Sequence, residues 1–575
     1  MSKLFHLALV ETSGNQNYIF SSNKLRENIG ASELTYRAGT KWVLEAIAAI
    51  VPGSKSLSLW TPDGTQLRRN LLNSDRNPAI ETSKLGIEVI VAASGKAIFL
   101  TKDEDTAQQI IRQVTRKALE EAPGLDVCGV IQEFDWDTQG MGDAISQVHE
   151  HFEAYRNQRI TPQHRFQRIP VVQACATSGQ PAAQHSSAYG DERQAISALS
   201  HAKIEVAKQA QGRLRSLLNH PEDNQGFAGT TQDLDGKCDW LAVVHADGNG
   251  LGKIFMGFHQ HIGATKPSDN RDYINKLRRF SIALDQCTEA AFKTAITQIR
   301  IITKGENQPS LIPLAPLVLG GDDLTVVCDG RYALQFTRAF LKAFETETAS
   351  AKHCEGIVPE IASKALHSDH LSACAGVTII KPHFPFSVAY GLAESLIKSA
   401  KTVKQKVTFT ESGDPVPCSA IDFHILYDSS VIDLAEIRRK LVRNNRHLCK
   451  RPYVVTELDH LKASTTEGQT WCEFHHWDTL SDRIAAMTKK DDETGDRLLP
   501  SSQMHELRSG LFFGQAFSDG QFRLIQKRYE NQNINALEES SSSLFSQDPD
   551  SQIYCTSFLD ALESLEFFET AGATP

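Results

Sequence analysis

No two cysteines in this 575-residue chain stand in a C-x-x-C spacing, and its eleven cysteines are scattered singly from Cys128 to Cys555. An odd, dispersed set excludes a disulfide scaffold and fits a protein kept reduced. There is no unbroken apolar run of 18 residues, so no membrane-spanning helix is expected. Nor is there a surplus of positive charge: the formal net charge of −10 argues against nucleic-acid binding by bulk electrostatics. The opening MSKLFHLALVETSG carries one lysine and an apolar run that stops at Glu11, which reads as a first strand rather than a secretory leader. A cytoplasmic protein is expected.

What is present is globular: 41% hydrophobic and 23% charged residues, in a chain long enough for three or four domains. One local basic stretch, IRRKLVRNNRHLCKRPY (Ile437–Tyr453), is a candidate contact for nucleic acid, against the plainer reading of a solvated helix face.

The order of elements repeats. LFHLALVE reads as a strand, and NQNYIFSSNKLRENIGASELTYRAGTKWVLEAI as helix with a break near Gly30. GIEVIVAASGKAIFLT reads as a hairpin around Ser94-Gly95-Lys96, DEDTAQQIIRQVTRKALEEA as helix and LDVCGVIQEF as strand. That is β-α-β-β-α-β, the ferredoxin-like arrangement. The same order returns as DWLAVVHA, the helix Arg271–Ile299, the hairpin LAPLVLGGDDLTVVCD, the helix RYALQFTRAFLKAFETETA and the strand LSACAGVTII. The expected fold is therefore α+β. Two βαββαβ units occupy residues 1–165 and 236–430. A polar and helical linker spans 166–235, and a mostly helical C-terminal domain 431–575.

The units differ at the hairpin turn. Where the first has Ser94-Gly95-Lys96, the second has Gly320-Gly321-Asp322-Asp323. Asp247 ends the first strand of the second unit, next to the hairpin in a ferredoxin-like sheet, so three carboxylates should converge. Like charges at that range raise at least one pKa unless a cation is present. Hard oxygen donors suit Mg²⁺ or Mn²⁺. Two such ions, about 3.5–4 Å apart, serve phosphoryl transfer. Gly320 and Gly321 are expected to take positive φ and to let a triphosphate approach the backbone. Gly248, Gly250 and Gly252 at the strand-to-helix junction would offer N–H groups to phosphate, with Lys253 adding charge and Asn249 counted among the cofactor-binding residues.

These residues resemble the large subunit of type III CRISPR effector complexes, the palm-domain polymerase that makes cyclic oligoadenylates. GNQNYIFSSNKLRENIGASELT (Gly14–Thr35) is similar to the opening of its inactive first palm, and AASGKAIFL to its degenerate hairpin. HADGNGLGKIF and LVLGGDDLTVV are similar to the two metal motifs of its active palm, and FPFSVAYGLAESLIKSAKTVK (Phe384–Lys404) to the helix that follows. SAIDFHIL and KRPYVVTELDHL extend the likeness into the tail. The resemblance implies two palm domains, the first degenerate and lending part of an ATP site. It implies that Asp247, Asp322 and Asp323 hold two Mg²⁺ or Mn²⁺ ions and that Lys401 faces a nucleotide phosphate. ATP would be the substrate and cyclic oligoadenylate the product, with guide RNA and effector subunits as partners and target RNA as activator.

Two departures stand out. The dipeptide His-Asp does not occur, so an HD nuclease is not expected. In the zinc-ribbon position Cys175 is present, but Ser178 stands where a second ligand would fall, so no zinc is expected. Plain readings apply to other groups: His149 and His151 on a helix, Cys472 and His475 among aromatics, His367 to His370 as a polar loop, and Cys328 as an inner strand residue. Two alternatives share the data. One is a cyclase making a cyclic dinucleotide, with GTP as a conceivable substrate. The other is a non-enzymatic scaffold of a CRISPR ribonucleoprotein.

Overall fold

The computed structural model describes all residues except 1–2, 60, 62–63, 161–165, 167–168, 190–191, 219–225, 235–238, 303–310, 428–431, 491–494, 530–533 and 569–575. The first unit comprises β1 (Leu4–Ser13), α1 (Asn15–Ile19), α2 (Leu25–Gly39), β2 (Ile87–Ala93), β3 (Lys96–Thr101), α3 (Glu104–Glu121) and β4 (Asp126–Asp135). Its antiparallel sheet has the order β2-β3-β1-β4, the ferredoxin-like order. The apolar middle of β1, Leu7 to Val10, is buried on both faces, which makes it the central strand. The Asp103 side chain caps α3 by accepting from the Thr106 N–H at 2.8 Å, and Glu104 and Asp105 in the first turn complement the helix dipole.

The break expected near Gly30 is not found. Helix α2 runs on to Gly39, and the chain turns before Leu25 and at Thr40 instead. Gly30 answers to packing: a Cβ there would lie 1.8 Å from the backbone oxygen of Lys203, on the linker helix α4 (Ala198–Leu217). In the linker, Cys175 Sγ faces hydroxyls, those of Thr177 at 3.4 Å and Ser200 at 3.6 Å.

The second unit comprises β5 (Leu241–Gly248), α5 (Leu251–Met256), α6 (Asn270–Ile302), β6 (Leu314–Gly320), β7 (Asp323–Asp329), α7 (Gly330–Ala349) and β8 (Ala373–Ile380). Helix α8 (Phe386–Ala400) and strands β9 (Ala420–Ile425) and β10 (Tyr453–Val454) follow. Its sheet order is β6-β7-β5-β8-β9-β10. The first four strands repeat the order of the first sheet; β9 adds parallel to β8, and β10 closes the edge antiparallel to β9. All eight residues of β8 are buried, as a strand covered on both faces requires.

Helix α6 is ion-paired to the first unit. Arg271 meets Glu81 and Glu88, Arg278 meets Glu88, and Asp285 and Glu289 receive Arg68. Part of the basic run Ile437–Tyr453 is consumed inside the protein: Arg438 pairs with Asp422, Lys450 with Glu539, and Arg451 with Asp560 and Glu563, while Arg439, Lys440 and Arg443 are exposed. Among the described residues, no helix is long and apolar enough to cross a membrane.

Candidate active site

Strand register brings the acids together. Ala246 of β5 pairs with Leu324 of β7, so the next residues along, Asp247 and Asp323, are cross-strand neighbours. Gly320 pairs with Asp323 across the two-residue turn Gly321–Asp322, which places Asp322 beside them. One carboxylate oxygen from each of Asp247, Asp322 and Asp323 lies within 4.8 Å of the others. A Cβ on Gly248 would fall 2.8 Å from that of Asp322, so this glycine lets the turn carboxylate lie against the strand end.

The electrostatics are those of a cation site. Burial, then the charge of Asp247, pushes the Asp322 carboxyl up to about 7. Asp323 is raised well above its ordinary value by burial and by both neighbouring acids. Lys401, at the C-terminal end of α8, donates to Asp247 Oδ2 and lies 3.3 Å from the Gly248 carbonyl oxygen. Its single positive charge faces three carboxyls. An all-oxygen donor set of this kind fits Mg²⁺ or Mn²⁺.

The turn is held from behind. Gly321 has φ +62°, placing the positive φ on the first central residue as type II′ hairpins do. Its N–H donates to Asp285 Oδ1 at 2.7 Å, and Asp285 is fixed by Arg68 at 3.0 Å. Gly320 does not share the positive φ expected of it; the Cβ it lacks would meet Asp285 Oδ1 at 3.2 Å. Asn249 ties the strand end to its neighbours. Its N–H is not free for phosphate but donates to the Ser372 carbonyl at 2.8 Å, and its side chain donates to Ser372 Oγ, Cys374 Sγ and the Cys418 carbonyl. Gly250, at φ +77°, starts α5, and Lys253 is exposed on its first turn without an ion-pair partner among the described residues.

Residues 240–410 match the family model of the Cas10/Cmr2 second palm domain. This segment is similar to a Cas10/Cmr2 second palm, and the unit it forms is called the second palm after that likeness. Among solved structures, the apo state of a type III-B Cmr-β complex, determined by cryo-EM, has a chain that is 8% identical. The match covers 98% of this protein and 82% of that chain, with a TM-score of 0.50. Csm1 of T. onnurineus is 13% identical over 93% of this chain and 65% of its own, TM-score 0.46. A Csm1–Csm4 cassette in complex with cA4 gives 13% identity, TM-score 0.44 and 93% coverage of this chain. The protein spans only 64% of that last chain's length. No curated protein matches the sequence.

Besides the ion pairs of α6, the first unit reaches the second palm close to the acids. The Cβ that Gly320 lacks would come within 3.7 Å of the Ser94 Cβ, so the two hairpin turns face each other. Gln16, on α1, donates to Tyr390 Oη at 2.9 Å, and Tyr390 Oη is 3.1 Å from Nε2 of His245 on β5. Burial pushes the pKa of His245 down, which favours a neutral ring two residues before Asp247 on β5. Sequence reasoning missed Asp285, His245 and Tyr390. Asp285 sits mid-helix with no local motif, and only the folded sheet and helices reveal what it holds.

Proposed function

We propose that the chain is a nucleotidyltransferase that converts ATP into cyclic oligoadenylates in type III CRISPR antiviral defence. The observation that carries the reading is the convergence of Asp247, Asp322 and Asp323 within 4.8 Å in a second palm, with Lys401 bonded at their edge. Asp247, Asp322 and Asp323 would hold two Mg²⁺ or Mn²⁺ ions, which when bound supply charge neutralisation at phosphate and a more acidic ribose hydroxyl. The protein's own contribution is position: the hairpin is pinned by Asp285, and Gly248 lets Asp322 close on the strand end. Lys401 is placed to pass from Asp247 to a nucleotide phosphate once the acids are neutralised. Gly250, Lys253, Gly320 and Gly321 border the same strand ends and belong to the triphosphate side. Each new phosphodiester bond forms as a ribose hydroxyl displaces pyrophosphate from an α-phosphate. Effector subunits, guide RNA and an activating target RNA are the partners this reading entails.

The test is mass spectrometry of products after incubation with ATP or GTP and Mn²⁺ or Mg²⁺, beside an Asp322→Ala/Asp323→Ala double variant. Cyclic oligoadenylates from the wild type alone are expected. A cyclic dinucleotide, or product from GTP only, would redirect the substrate assignment. Product from both proteins would sink the metal assignment, and product from neither, even with added guide and target RNA, would leave a scaffold.

A further inference from the structure

Between α7 and the C-terminal region lies a second place where ligating groups converge, around a cavity of about 570 Å³. Its wall includes Glu345 on α7, His370 just ahead of β8, and His460 in the single 3₁₀ turn Leu458–Leu461. One ligand atom of each lies within 4.8 Å of the other two. The sequence reading placed His367 to His370 in a polar loop; the fold buries His370 to 7% exposure.

Both buried groups are prepared as donors. Nδ1 of His370 lies 2.9 Å from Asp369 Oδ1 and 3.1 Å from Ser368 Oγ. A ring that donates its Nδ1–H to a carboxylate carries its lone pair on Nε2, the usual arrangement behind a metal-bound imidazole. That Nε2 is buried and makes no hydrogen bond among the described residues. Glu345, 6% exposed, is oriented by a relay: the Ser419 N–H donates to Thr456 Oγ1 at 2.7 Å, and the Thr456 hydroxyl donates to Glu345 Oε1 at 2.5 Å. Lys342, on the same wall, is committed to Glu457. Among the described residues Glu345 has no ion-pair partner, and a buried carboxylate without a cation is costly.

We infer that Glu345, His370 and His460 form a metal site for a first-row divalent ion of the zinc type. Two imidazoles and one carboxylate suit Zn²⁺ or Co²⁺ and not Mg²⁺ or Ca²⁺. Three protein donors leave a fourth position open towards the cavity. The ion ties three segments far apart in the chain, and one of them leads within two residues to Ser372, which holds the Asn249 turn beside Asp247. The expectation of a chain without zinc, drawn from Cys175 and Ser178, is set aside at this separate place.

The site stands apart from the Asp247 cluster, so the two fail separately. Full-length protein is stripped with chelator, reloaded with Zn²⁺ or Co²⁺ and desalted, and metal is counted by elemental mass spectrometry. One Zn²⁺ per chain is expected, visible d–d absorption with Co²⁺, and a rise in melting temperature on Zn²⁺ addition. His460→Ala, at an exposed position, and His370→Ala each weaken Zn²⁺ binding by about 100-fold or more, and Asp369→Asn by about 10-fold. Asp322→Ala/Asp323→Ala keeps both the stoichiometry and the Co²⁺ spectrum. No Zn²⁺ in the wild type, or wild-type affinity and melting shift in both His460→Ala and His370→Ala, overturns the assignment.

Discussion

In the first unit Ala93 pairs with Lys96 across the turn Ser94–Gly95, whereas in the second palm Gly320 pairs with Asp323 across Gly321–Asp322. The partner of Lys96 on the neighbouring strand is Glu11, and their side chains form an ion pair at 3.1 Å. The residues in the same relation in the second palm are Asp323 and Asp247, two acids. One hairpin carries its cation as a lysine of its own; the other carries an acid there, and Asp247 takes its lysine, Lys401, from the end of α8. The turns differ as well. The positive φ falls on Gly95, the second central residue, in one and on Gly321, the first, in the other. That shift frees the second position of the palm turn for Asp322. The two turns thus differ by a charge reversal and a moved glycine, not merely by the presence of acids.

The largest effect should come from making the second hairpin like the first. Asp323→Lys lets the new amine pair with Asp247, and product formation falls by at least about 10³-fold. Manganese binding followed by electron paramagnetic resonance falls with it. Retained synthesis would break the comparison.

A smaller effect concerns pH. The folded Asp322 carboxyl stands at about 7 and Asp323 well above its ordinary value, against 3.8 in an unfolded chain. A raised folded pKa gives stability that is full below about pH 4 and is lost as pH rises through 7. In denaturant melts with chelator, the wild type should lose about 1–2 kcal/mol more between pH 5 and 8 than Asp322→Asn/Asp323→Asn, allowing for partial solvent screening. Added Mn²⁺ should remove the difference.

The smallest effect is in the first unit. Lys96→Met breaks a pair whose side chains are about a third exposed and should cost under about 1 kcal/mol. It should create no Mn²⁺ site. A side chain at Gly95, the position of Asp322, would meet Thr12 Oγ1 at 2.4 Å on a backbone with φ +70°. Calorimetric titration showing a new Mn²⁺ site would contradict this.

The order of strands and helices was legible because periodicity of apolar residues survives in each segment, and the acids were legible because both motifs end their strands. What was hidden depends on partners distant in sequence. Gly30 looked like a helix breaker, because its reason is the Lys203 backbone. Asn249 looked like a phosphate contact until Ser372 and Cys418 took its donors. The basic run near Arg451 looked open to solvent, since Glu539 and Asp560 lie about a hundred residues further on. Glu345, His370 and His460 share no motif at all. A cluster assembled from three separate elements leaves no spacing to read.

The two-residue strand Tyr453–Val454 caps the sheet of the second palm by pairing with Ala420 and Ile421. Without it, the main-chain groups of Ala420 and Ile421 on the outer side of β9 would lie open, beside their own apolar side chains. Open apolar edges recruit other chains and seed aggregation. Tyr453 is itself anchored, donating to Asp560 Oδ2 at 2.7 Å, so the guard strand is held by the last hundred or so residues. A palm severed from its tail is therefore expected to be adhesive rather than merely incomplete.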